Sequence, residues 1–191
     1  MTVVHHSRLV LGGARSGKSR YAVAQAQEIG GSVAFLATAR ALDPDLAARI
    51  ARHRSERPGG WTTLEEPRDI VAAARRAAGS HGVLVIDCVT IWVANLMERG
   101  DDDTAVLAAA DDLAKLMRER LASFIIVSNE VGAGVHPPTA LGRRFGDLLG
   151  FVNQRLAAAA DRVTLMVAGI PLIVKDAPLP TAPHDRAHEA P

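Results

Sequence analysis

Short, continuously apolar runs alternate along the chain with longer segments in which apolar positions recur at helical spacing. Runs typical of buried strands begin near residue 8 and cover 32–38, 82–87, 123–128, 162–168 and 172–175, and 61–67 looks extended. Helical patterns cover 18–29, 43–57, 68–78, 89–97, 104–121 and 141–161. Because strands alternate with helices, we predict an α/β fold of three layers, with a mostly parallel sheet and an antiparallel edge at the last hairpin.

The first apolar run leads into a glycine-bracketed loop, Gly12-Gly13-Ala14-Arg15-Ser16-Gly17-Lys18-Ser19. Its spacing fits G-x-x-x-x-G-K-[ST], the phosphate-binding P-loop. Glycines let the backbone wrap closely around a phosphate, and the helix that follows directs unpaired N–H groups at the same anion. Lys18 would then reach the β- and γ-phosphates, and the Ser19 hydroxyl would hold Mg²⁺. The loop predicts nucleotide binding but does not indicate which reaction follows.

A second chemical signal ends the apolar run 82–87, where four apolar residues precede Asp87. This is the Walker B pattern, in which a carboxylate at the end of a strand meets Mg²⁺ directly or through water. An ordinary strand that ends in aspartate is the alternative interpretation. Because a P-loop precedes it, we favour the metal role for Asp87.

The predicted helix 43–57 carries more cations than an amphipathic surface helix needs. Arg49, His53 and Arg57 share one face by i, i+4 spacing, and Arg52 and Arg54 flank the histidine. Neighbouring arginines disfavour the imidazolium and leave the neutral imidazole, which is the nucleophilic form. A basic solvent-facing surface with a bystander histidine is the competing interpretation, and composition alone favours it.

Other segments leave two interpretations open. The polar and glycine residues 129–134, at the end of a strand, are either the wall of a site or a plain exit from that strand. The next helix has a small-residue face suited to close packing, while its Arg143 and Arg144 could point at a ligand or partner; the small residues are Gly142, Gly146 and Gly150. For the acidic run 101–103 we favour a helix N-terminus over a metal site.

Composition sets broader limits. The chain has 191 residues, and we expect one nucleotide-binding catalytic domain over 1–175 and a disordered tail over 176–191. A formal net charge of +1 gives no electrostatic footprint for nucleic acid, and no apolar run approaches the length of a membrane span. Cys88 is the only cysteine, so no internal disulfide forms, and we expect a cytoplasmic protein.

Five blocks together resemble one family: GGARSGKS at 12–19, ATA at 37–39, RIxxHxxxRPxxW at 49–61, NEVGxG at 129–134 and VNQRLAAAAD at 152–161. They are similar to the bifunctional adenosylcobinamide kinase / adenosylcobinamide-phosphate guanylyltransferase of cobalamin biosynthesis, over about residues 9–175. P-loops are widespread, whereas the histidine block and the last two blocks are specific. A known family member has two adjacent histidines where this chain has Arg52-His53, and only His53 stands in the H-x-x-x-R-P position.

This resemblance implies the residues of the site. His53 matches the histidine that becomes guanylylated, Lys18 is the P-loop lysine, and Mg²⁺ would be held at Ser19 and Asp87. The nucleotide-binding residues that the resemblance implies are Gly12, Gly13, Ala14, Arg15, Ser16, Gly17, Lys18, Ser19, Ala37, Thr38, Ala39, Arg54, Ser55, Glu56, Arg57, Glu65 and Asp87.

The resemblance also implies a RecA-like P-loop NTPase fold, a homotrimer and two reactions. ATP or GTP would phosphorylate adenosylcobinamide, and GMP would then pass from GTP through His53 to adenosylcobinamide phosphate, giving adenosylcobinamide-GDP. Two alternatives use the same P-loop: a guanylyltransferase that lacks kinase activity, and a nucleotide-dependent switch protein.

Overall fold

The computed structural model describes residues 5–40, 54 and 58–176. Its strands are β1 (Ser7–Gly12), β2 (Val33–Ala37), β3 (Thr62–Glu65), β4 (Val83–Asp87), β5 (Ser123–Val127), β6 (Arg162–Val167) and β7 (Ile170–Asp176). Its helices are α1 (Lys18–Ile29), α2 (Ile70–Ala78), α3 (Val89–Arg99), α4 (Asp103–Arg118) and α5 (Ala140–Ala159). The predicted helix 43–57 falls outside the described residues except for Arg54. The predicted tail 176–191 also falls outside them except for Asp176, which ends β7 and pairs with Arg162.

All the described strands form one sheet in the order β3-β2-β4-β5-β1-β6-β7. Every neighbouring pair is parallel except β6 and β7, which form an antiparallel hairpin at one edge. This confirms the predicted mostly parallel sheet with an antiparallel edge. The segment predicted only as extended is a true strand, β3, which pairs with β2 at the opposite edge.

Helices cover both faces of the sheet, because its central strands are apolar on both sides. Leu36 and Ile86 lie in a core cluster with the inner faces of α2, α3, α4 and α5. Phe35 and Val85, one residue earlier on the same strands, lie in a second cluster with α1. Alternate strand residues point to opposite faces, so this division gives the predicted three layers. Among the described helices, none combines the length and apolar character needed to cross a membrane.

The acidic run before α4 has structural partners, as favoured from the sequence. Asp102 caps the helix by accepting from the Ala105 N–H at 2.8 Å. Asp101 accepts two hydrogen bonds from Arg99, and Asp103 accepts from Arg144 Nε at 2.7 Å. Arg144 is therefore engaged in joining α5 to the start of α4. No group of three or more metal-ligating His, Cys, Asp or Glu side chains occurs within the described ranges.

The small-residue face of α5 is only partly close-packed. A Cβ atom at Gly142 would lie 2.9 Å from the Pro137 Cβ, so this position leaves no room for a side chain. Nothing described lies within 4 Å of a Cβ placed at Gly146 or Gly150. Arg143 donates to the carbonyl oxygens of Pro137 and Pro138, which fixes the loop before the helix.

Asp161 links three elements at the end of the sheet where β1 begins, which is opposite the P-loop. It accepts from the Ser7 N–H at 2.8 Å and from both terminal nitrogens of Arg120 at 2.9 and 2.6 Å. Burial raises the pKa of this carboxyl, but the hydrogen bonds from Arg120 and Ser7 lower it by more, so its pKa lies below the ordinary value. The negative charge of this group therefore stabilises the fold above the ordinary carboxyl pKa.

We expect Asp161→Asn to lower the free energy of unfolding by about 2 kcal/mol at neutral pH, because charge-assisted hydrogen bonds are lost in a half-buried place. A folded-state pKa below the unfolded value means that this contribution disappears as pH falls through the folded pKa. Urea unfolding of both proteins at neutral and acidic pH measures it. Asp111→Asn, which removes an exposed ion pair with Arg155, is the matched control and should change little. Equal losses from the two variants would contradict the assignment.

Candidate nucleotide-binding site

The P-loop joins β1 to α1 in a conformation that requires glycine at both ends. Gly12 has φ +149°, and a Cβ there would lie 2.6 Å from the Met166 carbonyl oxygen. Gly17, immediately before α1, has φ +93°. The tip of the β6–β7 hairpin supports the loop, because the Gly169 N–H donates to the Ser16 carbonyl at 3.0 Å. The loop residues 13–15 are exposed, which leaves their backbone open to a ligand.

Lys18 is folded back into this loop. Its Nζ donates to the Gly13 carbonyl at 2.6 Å and lies 3.5 Å from the Ser16 hydroxyl, and the residue is 7% exposed. Burial lowers the pKa of Lys18, and the nearby groups of Cys88 and Asp87 partly oppose that shift. Neutral carbonyl and hydroxyl oxygens compensate a buried ammonium only weakly, so the anionic oxygens of a phosphate would be much stronger acceptors for it.

Asp87 ends β4 at the same edge of the sheet. Only β5 lies between β4 and β1, and Asp87 is close enough to Lys18 to influence its pKa. The Ser19 hydroxyl and the Asp87 carboxylate are hard oxygen donors, which suit Mg²⁺. Two such donors do not make a complete cage, but Mg²⁺ usually takes one or two protein oxygens together with phosphates and water. These residues thus fit a cation that arrives with the nucleotide.

The segment 37–39 begins with the last residue of β2, Ala37, which pairs with Asp87. Ala37 and Thr38 are buried and Ala39 is half-buried. The Thr38 hydroxyl is 2.8 Å from both the backbone nitrogen and the carbonyl oxygen of Cys88. Burial raises the pKa of the Cys88 thiol to about 11, so this cysteine is neutral and unsuited to a nucleophilic role.

Glu65 and Arg54 lie together at the far edge of the site. Glu65 ends β3, and its carboxylate is 3.7 Å from the Arg54 guanidinium, with both side chains exposed. Three strands separate β3 from β1, and strands lie about 4.8 Å apart, so the two strand ends are roughly 19 Å from each other. His53, Ser55, Glu56 and Arg57 lie outside the described residues. Arg54 and Glu65 are therefore brought together, but across the sheet from the P-loop.

The loop after β5 touches the P-loop. The Glu130 N–H donates to the Gly12 carbonyl at 3.0 Å, and the Asn129 N–H donates to the Thr90 hydroxyl at 2.7 Å. Asn153, from the VNQRL block on α5, donates to the Asn129 carbonyl at 3.0 Å. This arrangement favours the interpretation that 129–134 forms a wall of the site.

Three buried polar side chains hold this edge: Thr90, Asn95 and Asn153. Asn153 belongs to the VNQRL block, whereas no motif in the sequence indicates Thr90 or Asn95. Each sits on the inner face of a helix whose neighbouring positions are apolar. A polar residue at a core position is the signal that could have identified them, because burying it demands a specific hydrogen-bonding partner.

Comparison with known proteins adds to this geometry. Residues 8–174 match the family described as CobU, cobinamide kinase / cobinamide phosphate guanyltransferase. The bifunctional adenosylcobalamin biosynthesis protein CobP of Pseudomonas aeruginosa is 43% identical over 171 residues, which are 90% of this chain and 98% of that protein. The corresponding CobU proteins of Escherichia coli K12 and Salmonella typhimurium LT2 are 40% and 38% identical, each over 87% of this chain and 98% of the relative.

A solved structure of an ATPase domain is similar in fold. It superposes with a TM-score of 0.50 over 84% of this chain and 69% of that one, at 14% sequence identity. At that identity the likeness concerns the fold alone, and it agrees with the predicted three-layer α/β fold.

Proposed function

The chain belongs to the cobinamide kinase / cobinamide phosphate guanyltransferase family, and we propose how its own residues perform the two reactions. The observation that carries the proposal is the P-loop with Lys18 buried in it, at the edge where β4 and β5 also present polar residues. Parallel α/β sheets bind ligands outside the carboxyl ends of their strands, so this edge is the expected place for a nucleotide.

In the kinase reaction, ATP or GTP is the phosphoryl donor and adenosylcobinamide the acceptor. The acceptor's hydroxyl oxygen forms a bond to the γ-phosphorus, the bond from that phosphorus to the β-phosphate oxygen breaks, and the hydroxyl proton leaves. The P-loop N–H groups orient the phosphates, and Lys18 stabilises the charge that develops on them. Mg²⁺, which Ser19 and Asp87 would hold, supplies further charge neutralisation when bound.

In the guanylyl transfer, a ring nitrogen of His53 attacks the α-phosphorus of GTP and pyrophosphate leaves. A phosphate oxygen of adenosylcobinamide phosphate then attacks the same phosphorus, the N–P bond breaks and adenosylcobinamide-GDP forms. Splitting the exchange into two displacements is the usual benefit of covalent catalysis. Arg54, next to His53 in the chain, is exposed beside Glu65, which supports a nucleotide-facing role for this segment.

Intact mass spectrometry after incubation with GTP and Mg²⁺ tests the guanylyl half, and we expect an addition of one GMP per chain. A separate assay follows transfer of the γ-phosphoryl group to adenosylcobinamide. An adduct without phosphorylated product would indicate a transferase that lacks kinase activity. Nucleotide binding with neither activity would contradict the proposal and favour a switch protein.

We also propose that the protein is a homotrimer that works in the cytoplasm, where nucleoside triphosphates are available. The edge strand β7 supports the assembly, because its apolar side chains are 52–69% exposed: Ile170, Leu172, Ile173 and Val174. Exposed apolar residues on an edge strand are typical of a surface that another chain covers.

Light scattering should give three times the chain mass for the native protein. Ile173→Lys should reduce that mass, because it places a charge among the exposed apolar side chains of β7. Leu141→Lys, at an exposed position in the first turn of α5, is the matched control and should leave the mass unchanged. A monomeric native protein would contradict the proposed assembly.

A further inference from the structure

Thr38 makes an unusual set of contacts at the end of β2. The residue has no exposed surface, and its hydroxyl uses both of its roles on one neighbour, accepting from the Cys88 N–H and donating to the Cys88 carbonyl, each at 2.8 Å. In addition, the Thr38 N–H donates to the Asp87 carbonyl at 3.2 Å. Thr38 thus binds the backbone on both sides of the Asp87–Cys88 junction.

Asn95 holds Thr38 in turn. This α3 residue is 6% exposed, and its Nδ2 donates to the carbonyls of Thr38 and Pro67, both at 2.9 Å. Pro67 follows β3, so one amide group ties together the ends of β2 and β3. Because α3 begins directly after β4, the clasp formed by Thr38 and Asn95 connects three strand ends around Asp87.

We propose that Thr38 is a positioning residue for Asp87, with Asn95 holding Thr38 in place. A carboxylate acts on a phosphate-bound cation only if its backbone is fixed, since a small displacement of the donor weakens the contact. Thr38 provides that fixation from the adjacent strand through three hydrogen bonds to the backbone of residues 87 and 88. This inference rests on the proposed role of Asp87 in holding the Mg²⁺ of the nucleotide.

A direct nucleotide contact by the Thr38 hydroxyl does not fit this geometry. The group is buried, and the one proton that it could donate to a phosphate is already donated to the Cys88 carbonyl. A purely apolar packing role does not fit either, because valine would fill the same space without leaving a buried hydroxyl that needs partners. Position 38 therefore requires a hydroxyl, and this hydroxyl binds the backbone just after β4, the strand with the Walker B pattern.

The test measures how Mg²⁺ changes the binding of GDP, which neither the kinase reaction nor the guanylyl transfer consumes. Calorimetric titrations with GDP at a series of Mg²⁺ concentrations, and in EDTA, give the half-saturating Mg²⁺ and the metal-free affinity. We expect Thr38→Val to raise the half-saturating Mg²⁺ by about tenfold, as is typical when the partner of a metal ligand is lost. The metal-free affinity should not change, and Thr38→Ser, which keeps the hydroxyl, should behave as the native protein does.

Ser7→Ala is the matched control for lost stability, because it removes a buried hydroxyl that donates to the Met117 carbonyl at the opposite edge of the sheet. It should leave the Mg²⁺ dependence unchanged. Asn95→Ala keeps the Thr38 hydroxyl but frees its carbonyl, so it should raise the half-saturating Mg²⁺ by a smaller factor. If Thr38→Val does not fold, Asn95→Ala carries the test.

Asp87→Asn separates the two ways in which the inference can fail. If Asp87→Asn raises the Mg²⁺ requirement while Thr38→Val and Asn95→Ala do not, the positioning role is overturned and the proposed function stands. If Asp87→Asn itself has no effect on the Mg²⁺ dependence, the proposed metal role of Asp87 is wrong. If Thr38→Val weakens binding equally with and without Mg²⁺, Thr38 has a general structural role and the inference fails.

Discussion

Lys18→Ala should lower the rate of phosphoryl transfer to adenosylcobinamide by about a thousandfold, the upper part of the range for removing one preorganised donor to a transition-state charge. Lys18 is already buried in the P-loop, 2.6 Å from the Gly13 carbonyl, so it needs little movement to meet the phosphates. Its charged form is disfavoured by burial before a nucleotide binds, and the phosphates supply the missing counter-charge. The interaction between Lys18 and the phosphates is therefore strongest in the transition state, where their negative charge is greatest.

Initial rates of phosphorylation at saturating adenosylcobinamide measure this effect, with melting temperature as the check on folding. Lys115→Ala, an exposed lysine on α4, is the matched control and should retain full activity. A Lys18→Ala protein that keeps more than about a tenth of the native rate would contradict the assignment.

The lowered pKa of Lys18 gives a second readout. At alkaline pH the native protein should take up protons when it binds nucleotide, because phosphate raises a lysine pKa that burial had lowered.

Local sequence signals were sufficient for most elements of the fold. Helix α1 has the predicted bounds, since its alanine- and glutamine-rich run has no breaker until Gly30, whose φ is +75°. The central strands were equally clear, because a strand covered on both faces is continuously apolar. The sequence predicts β3 only as an extended segment, because it is a short edge strand of mixed polarity. Its pairing with β2 involves residues distant in the sequence, which a local pattern cannot predict.

The site was predictable only where a motif determines backbone geometry. The P-loop spacing places Lys18 and Gly12 without knowledge of the rest of the chain. The resemblance implies that Thr38 binds nucleotide, but nothing in the local sequence predicts that its hydroxyl contacts a backbone fifty positions away. Such contacts follow from strand order, and adjacent strands here are often distant in the chain. The distance between Glu65 and the P-loop is likewise a consequence of strand order.

Replacing His53 by alanine should abolish the covalent GMP adduct while leaving the kinase reaction intact. The adduct requires a nucleophilic nitrogen, and alanine has none, whereas the kinase reaction uses the P-loop and its lysine. GTP labelled at the α-phosphate should mark the native protein with an acid-labile adduct. The native protein should also exchange labelled pyrophosphate into GTP without an acceptor, and His53→Ala should do neither. His136→Ala, an exposed histidine in the loop after β5, is the matched control.

Comparing Lys18→Ala with His53→Ala tests whether the P-loop and the histidine act on the same bound nucleotide. Glu65, whose carboxylate lies 3.7 Å from the Arg54 guanidinium, ends a strand about 19 Å from the end of β1 by strand spacing. A triphosphate fixed only at the P-loop would therefore leave its α-phosphorus far from Glu65. If one bound nucleotide serves both reactions, Lys18→Ala should lower adduct formation as well as phosphorylation. Full guanylylation of Lys18→Ala would instead show that GTP reacts with the histidine without the P-loop. An adduct that persists in His53→Ala would assign the nucleophile to another residue.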